Sequence, residues 1–458
     1  MKKLKRQQWN KPFWLMSIMT AGFLSGSAQQ EMQYFRPNDS HGVNVFETTK
    51  NDSTPFTKMK VKVGGNFEQD FQALRDQNTA VPVMSKSGII GNVNSLEQLT
   101  NGFDLAMANL NIDAQLADGI RVNLTAYLAT RHHEDTWVKG GYVQFDKLTF
   151  LHNQFVDKLM KNITIKIGQY DVDYGDQHFR RSDGGNAIYN PFMENYIMDE
   201  FATEIGGEIY YHCTSGLFAM VGVTNGELDP TVLAPSKIDS ATGKTNRYAP
   251  AFHGKIGYDK QLNKDFRVRV SGSFYSDASA NSSTLFGGDR TGSHYFNVMS
   301  NATVASNTTL NDANDYNPFS GRYNPGFSEE VMTTMGNLFV KYKGLEFFGT
   351  YEVASGRTIT EKTSRQASQF AADLIYRFPR EKQNFWIGFR YNTVTAAMQG
   401  IAQDITIQRE AGSAGWFITK NLMLKAEYVN QVYLNYAPTN ILSGGQFDGW
   451  MLEAAIAF

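Results

Sequence analysis

Residues 106–128 read AMANLNIDAQLADGIRVNLTAYL, and two faces run through them. Ala106, Ala108, Leu110, Ile112, Ala114 and Leu116 alternate with Met107, Asn109, Asn111, Asp113 and Gln115; Ile120, Val122, Leu124, Ala126 and Leu128 then alternate with Arg121, Asn123, Thr125 and Tyr127. Each run has period two and one dry face, the signature of a half-buried strand. Ala117-Asp118-Gly119 between them supplies tight-turn chemistry, so the pair reads as a hairpin.

The same period returns at 162–171, 265–271, 384–392, 421–428 and 449–458. Counting every such run gives about sixteen strands between residue 58 and Phe458, an even number of the kind single-chain outer-membrane barrels have. Short connections (116–119, 212–216, 260–264, 343–344, 378–383, 419–420) alternate with long polar ones (72–102, 174–201, 225–249, 276–331). The expectation is an all-β chain: a transmembrane antiparallel up-and-down β-barrel over 58–458, with short periplasmic turns and long extracellular loops. Residues 150–161 fall on the short-turn side but carry Leu151, Phe155, Val156, Leu159 and Met160 at helical spacing, which predicts a short periplasmic helix. In the strand at 404–416, Ile405 and Ile407 share parity with Arg409, so a bulge or a shifted boundary is expected there.

A soluble sandwich or propeller also has period-two strands. Runs of about ten residues instead match a tilted bilayer crossing. The dry face carries Tyr258, Phe266, Tyr342, Phe347, Trp450 and Phe458 near strand ends, as interfacial aromatic girdles do. Phe458 closes an alternating strand, the form of an assembly signal read by the barrel-assembly machinery.

Of 458 residues, 41% are hydrophobic, 13% aromatic and 19% charged, with a mean hydropathy of -0.38. No stretch after the leader has the roughly 18 consecutive apolar residues of a spanning helix. The formal charge of -2 excludes a bulk-basic nucleic-acid binder, and the single Cys213 excludes an internal disulfide. Residues 1–28 show a basic start, an apolar run from Phe13 to Leu24 and Gly26-Ser27-Ala28, the three parts of a secretory signal peptide. Cleavage removes five basic and no acidic side chains and takes the net charge to -7. Export to the cell outer membrane of a Gram-negative organism follows, with 29–57 as a polar periplasmic N-terminal extension.

Ile167-Gly168-Gln169-Tyr170, the run from Tyr174-Gly175-Asp176 through Arg180-Arg181-Ser182-Asp183, and Tyr189-Asn190-Pro191-Phe192 resemble the Bacteroidetes-type outer-membrane porins. That family is distantly similar to the phosphate-selective O/P porins. Tyr34-Phe35-Arg36-Pro37 and Asn66-Phe67 extend the resemblance. It implies a 16-stranded channel for passive diffusion of small hydrophilic solutes or ions, and, by analogy, a homotrimer. The arginine ladder and lysine cluster of the O/P porins do not map onto this chain residue by residue.

A lumen of this width discriminates only if something narrows it. The glycine-containing segment 174–201 is the candidate infolded loop, with Arg180, Arg181 and Asp183 as constriction residues. The alternative is an external lid whose arginines pair with Asp173, Asp176 or Asp183. On the polar strand faces, Lys58, Lys60, Lys62, Arg121, Lys166, Arg267, Arg269, Lys341, Arg377, Arg390 and Lys425 outnumber Asp113, Glu204, Glu208, Asp373, Glu427 and Glu453, which leans the lumen weakly toward anions, phosphate included. Mixed wall pairs would cancel that lean. A structural or surface-adhesion barrel working through its outer loops is the competing expectation.

No cofactor, metal or catalytic residue is expected. Adjacent His132-His133 on an extended chain point apart, and the segment at 311–315 lacks the glycine and closing glutamate of a calcium loop. His253 shares a strand with Lys255 and His212 lies at a turn, so neither makes a Ser-His dyad. Edman sequencing of protein purified from outer membranes is expected to begin at Gln29.

Overall fold

The computed structural model describes residues 32–84, 92–103, 107–129, 137–182, 187–228, 232, 234–280, 282–289, 291–302 and 319–458. The leader at 1–28, Asp183, the segment at 132–135 and the segment at 311–315 lie outside the described residues.

Sixteen long strands form one closed antiparallel sheet. They are β1 (Lys60–Gln77), β2 (Met107–Ala117), β3 (Ile120–Ala129), β4 (Trp137–Phe145), β5 (Ile163–Asp171), β6 (Thr203–His212), β7 (Leu217–Thr224) and β8 (Ala251–Asn263). The second half comprises β9 (Phe266–Asp277), β10 (Glu330–Tyr342), β11 (Leu345–Arg357), β12 (Arg365–Phe378), β13 (Phe385–Ala396), β14 (Ile405–Thr419), β15 (Leu422–Leu434) and β16 (Gln446–Ala457). Each strand pairs with its sequence neighbours, and β1 closes the ring by pairing with β16 from Asn66↔Ala457 to Gln77↔Gln446. Closure removes the unpaired edges that a bilayer would penalise. Gly65 and Phe458 exchange backbone hydrogen bonds of 3.2 and 3.0 Å at the foot of this seam.

Turn chemistry sets the strand order locally. Gly119, at φ 72° between β2 and β3, holds a left-handed conformation, and a Cβ there would stand 2.5 Å from the Lys147 side chain. Gly168 of the family-like stretch lies on β5 at φ 139°, and a Cβ would meet the Gly141 carbonyl oxygen at 2.4 Å. Its conformational freedom lets β4 approach β5. The amphipathic stretch on the short-turn side forms helix α1 (Gln154–Leu159), capped by the Asn153 side chain on the Phe155 and Val156 amides.

The outside is apolar. Leu110, Leu124, Ile167, Ile209, Val221, Ile256, Val270, Leu338, Leu374, Ile387 and Leu452 all point outward and are exposed. Near the short-turn end, Tyr376, Phe378, Phe385 and Trp416 stack in succession with ring centroids 5.9, 5.9 and 5.5 Å apart. Tyr428 and Trp450 meet edge-on at 5.2 Å nearer the long-loop end. An apolar band with aromatic margins is what a β-barrel presents to lipid.

The inside is largely filled. Residues 32–57 turn into the short-turn end, where Phe46 packs in a buried cluster with Tyr196, Phe339, Phe348 and Ala371. The described residues of 172–182, 187–202, 278–289 and 291–302, position 281 apart, fold in from the long-loop end and, with 319–329, build a dry core against the wall. That core explains β14, whose boundary does shift, from the expected 404–416 to 405–419. The strand has no bulge near Arg409, and its register shifts only between Phe417 and Thr419. Ile405 and Ile407 face inward beside Arg409 and are buried because the infolded segments cover them.

Phe46→Ala is expected to weaken docking of the amino-terminal segment by about 3–5 kcal/mol, the cost of truncating a buried phenylalanine. Protease nicking of detergent-folded protein within residues 32–57, with the barrel core still resistant, is the check.

Candidate functional site: the lumenal path

Of the basic residues expected on the lumenal face, Lys58 lies before β1 and is exposed; the others face inward, and most are held by carboxylates. Arg269 donates to both oxygens of Asp176 at 2.7 Å and pairs with Glu47 at 2.7 Å. Arg267 grips Asp259 at 2.8 and 2.7 Å. Arg377 and Lys341 share Glu346, each at 3.1 Å. Arg390 holds Asp373 at 2.7 Å, and Lys425 holds Glu453 at 2.9 Å. Arg121 donates to Asp113 and Gln144 at 3.0 Å, and Lys166 to Glu208 at 3.0 Å. Lys62 lies 4.8 Å from the Phe35 ring centroid, and Lys60 is half-buried at the rim.

The described parts of the loop, 174–182 and 187–201, are infolded, but Arg180 and Arg181 line neither cavity. Both are buried. Arg181 forks onto Asp199 at 2.6 and 2.9 Å and stacks on Phe201 at 4.4 Å. Arg180 stands 4.7 Å over the Phe348 ring with Asp373 at 3.9 Å. Dehydrated guanidinium groups need carboxylates or aromatic faces, and the barrel wall and the loop itself provide them. Asp176 of the family-like stretch anchors the same loop. Burial alone would raise its carboxyl, but Arg269 and Lys255 outweigh that and hold it well below the usual range.

Among the described residues, two cavities stand out. The inner one, about 290 Å³, lies toward the short-turn end between the amino-terminal segment and the wall of β2–β6. Asn109, Asn111, Asn123 and Thr125 line it on one side, Tyr142, Tyr170 and Tyr210 on another. Its charged lining is balanced: Arg36, Arg121, Lys139 and Lys166 against Glu47, Asp113, Asp171 and Asp173. The outer one, about 680 Å³, lies among Tyr127, Phe201, Phe286, Asp289, Arg322 and Tyr323.

Lys139 lines both cavities. Sequence reasoning missed it, because its parity matches Gly141 and Val143 rather than the inward Tyr142 and Gln144. A β-bulge makes the difference. Thr125 pairs with Gly140 and Ala126 with Val138, leaving Lys139 as the extra residue of β4, turned inward. The available signal was a lysine on a lipid-facing parity, which a bilayer makes costly. Its ammonium donates to Asp289 and lies 4.9 Å from the Phe201 ring centroid. The Asp289 carboxyl, which burial alone would raise, is held below its usual range by Lys139 and Arg181.

A closed sixteen-stranded barrel with an apolar exterior and a partly filled polar interior is an outer-membrane β-barrel. No protein-family profile and no curated sequence matches the chain. Among solved structures it is similar to OmpT, an outer membrane protein of Vibrio cholerae, at 10% identity and a TM-score of 0.46, covering 88% of this chain and 99% of that one. It is similar at 10% identity and a TM-score of 0.46 to the anion-selective porin from Comamonas acidovorans, covering 88% and 100%. The outer membrane channel DcaP of Acinetobacter baumannii aligns at 11% identity and a TM-score of 0.47, covering 88% and 98%.

Replacing Arg180 and Arg181 together with Ala is expected to cost about 3–5 kcal/mol in stability, the scale of breaking a buried pair, and to leave ion selectivity unchanged. Thermal unfolding in detergent and the bilayer reversal potential check the two halves of this statement.

Proposed function

We propose that the chain is an outer-membrane channel for passive diffusion of small hydrophilic solutes, kin to the Bacteroidetes-type porins. The supporting observation is two cavities inside a closed barrel, a polar inner one and a mixed outer one, with Lys139 in the lining of both. Solutes cross the outer cavity, pass the Lys139–Asp289 contact and leave past the asparagine and tyrosine wall of the inner one. The matched charges of the inner cavity make selection mainly one of size. A weak anion lean, phosphate included, is assigned to Lys139 at the narrowing. Outer-membrane lipid around the apolar band, assembly through Phe458 and a homotrimer complete this reading.

The infolded segments also favour a second reading, a structural or adhesion barrel whose outer loops do the work. Planar-bilayer recording under a potassium chloride gradient separates the two. Discrete open steps are expected, with Lys139→Glu moving the reversal potential toward cations and Asp289→Asn moving it toward anions. A silent bilayer, from protein shown to be folded, overturns the channel reading in favour of the second.

A further inference from the structure

The seam between β1 and β16 carries a concentration of negative charge that strand pairing alone does not favour. Asp70 and Glu453 are direct register partners, both facing inward, and Glu68 lies two residues along the same face of β1. Like charges directly opposite one another destabilise a strand pair. The infolded segment 278–302 brings His294 onto this spot, fully buried, its backbone amide fixed by Glu194 at 2.7 Å. Its Nε2 lies 3.0 Å from Glu68 Oε1, 3.7 Å from Glu453 Oε2 and 3.9 Å from Asp70 Oδ2.

Glu453 is the second observation. It is 3% exposed and neither of its carboxylate oxygens accepts a hydrogen bond, although the Lys425 ammonium stands 2.9 Å from Oε1. Donor atoms of Glu68, His294 and Glu453 all lie within 4.8 Å of one another. A four-coordinate ion with bonds of about 2.0–2.2 Å separates its ligand atoms by about 3.4 Å. The distances from His294 Nε2 bracket that value. A mixed imidazole and carboxylate set suits a first-row divalent ion better than calcium, which prefers oxygen alone.

We propose that Glu68, His294 and Glu453 bind a divalent transition-metal cation, with Asp70 beside them, and that this ion clips the infolded segment to the barrel seam. With His294 neutral, the ion's two charges balance Glu68, Asp70 and Glu453 once the Lys425 ammonium is counted. Residues so distant along the chain form no local motif, which is why the sequence pointed to no metal.

Zinc is the probe. Full-length protein folded in detergent with zinc chloride, then dialysed against a weak chelator, is expected to retain about one zinc per chain by mass spectrometry. Glu453→Gln and His294→Gln are expected to retain almost none, and added zinc should raise the unfolding temperature of the wild type alone. Wild type that keeps no zinc, or variants that keep as much as wild type, overturns the proposal and leaves His294 as an imidazolium bonded to Glu68. If the variants do not fold, zinc-edge X-ray absorption of the wild type decides: one imidazole among oxygen ligands supports the site, and none or several refutes it. Zinc content is read whether or not the barrel conducts.

Discussion

Arg269 stands where three parts of the chain meet, and its fork is the contact on which the interior depends. From β9 it holds Asp176 of the infolded loop with two nitrogens and Glu47 of the amino-terminal segment with the third. A sixteen-stranded ring encloses more volume than wall side chains fill, so the space goes to water or to protein. Here most of it goes to protein. Each segment that enters is tied to the wall by a charged contact: Asn44 to Glu346, Tyr174 to Glu352, the Met193 amide to Glu427, and Lys425 to the Phe192 carbonyl. Such buried partners add little net stability over an apolar filling, but a lone one is expensive, so they specify which segment sits where.

This explains why the barrel was legible in the sequence and its interior was not. Period two, the Asp118-Gly119 turn, the alternation of short and long connections and the helical spacing before Asn162 are local signals, and the strands and α1 follow from them. Parity separates lipid from interior. It does not separate wet interior from dry, because Ile405 and Arg409 share a face that the infolded segments cover. The partner of Arg269 at position 47 is over two hundred residues away, and no periodicity carries that information. Parity failed outright at Lys139, where one inserted residue reverses the alternation.

The same accounting changes what an excess of basic residues means. The count of cations over anions read from the strand faces leaves out the inward carboxylates of Glu68, Asp70, Asp259, Glu346 and Glu352. The infolded segments bring their own carboxylates, Glu47, Asp173, Asp176 and Asp289 among them, and the count around the inner cavity comes out even. Selectivity by charge then depends on groups at the narrowest point, where the field of one pair is least screened by water.

The filling contacts and the cavities draw on overlapping parts of the wall. Contacts that hold the filling segments run around the wall, from Glu68 and Gln72 on β1 through Lys255 on β8 to Glu427 on β15, whereas the walls of the inner cavity lie along β2 to β6. Between them, Lys139 belongs to the thin side of the barrel and Asp289 to a filling segment. That contact joins the wall of both cavities to a filling segment, so a change in how deeply the segment sits reaches the cavities through it.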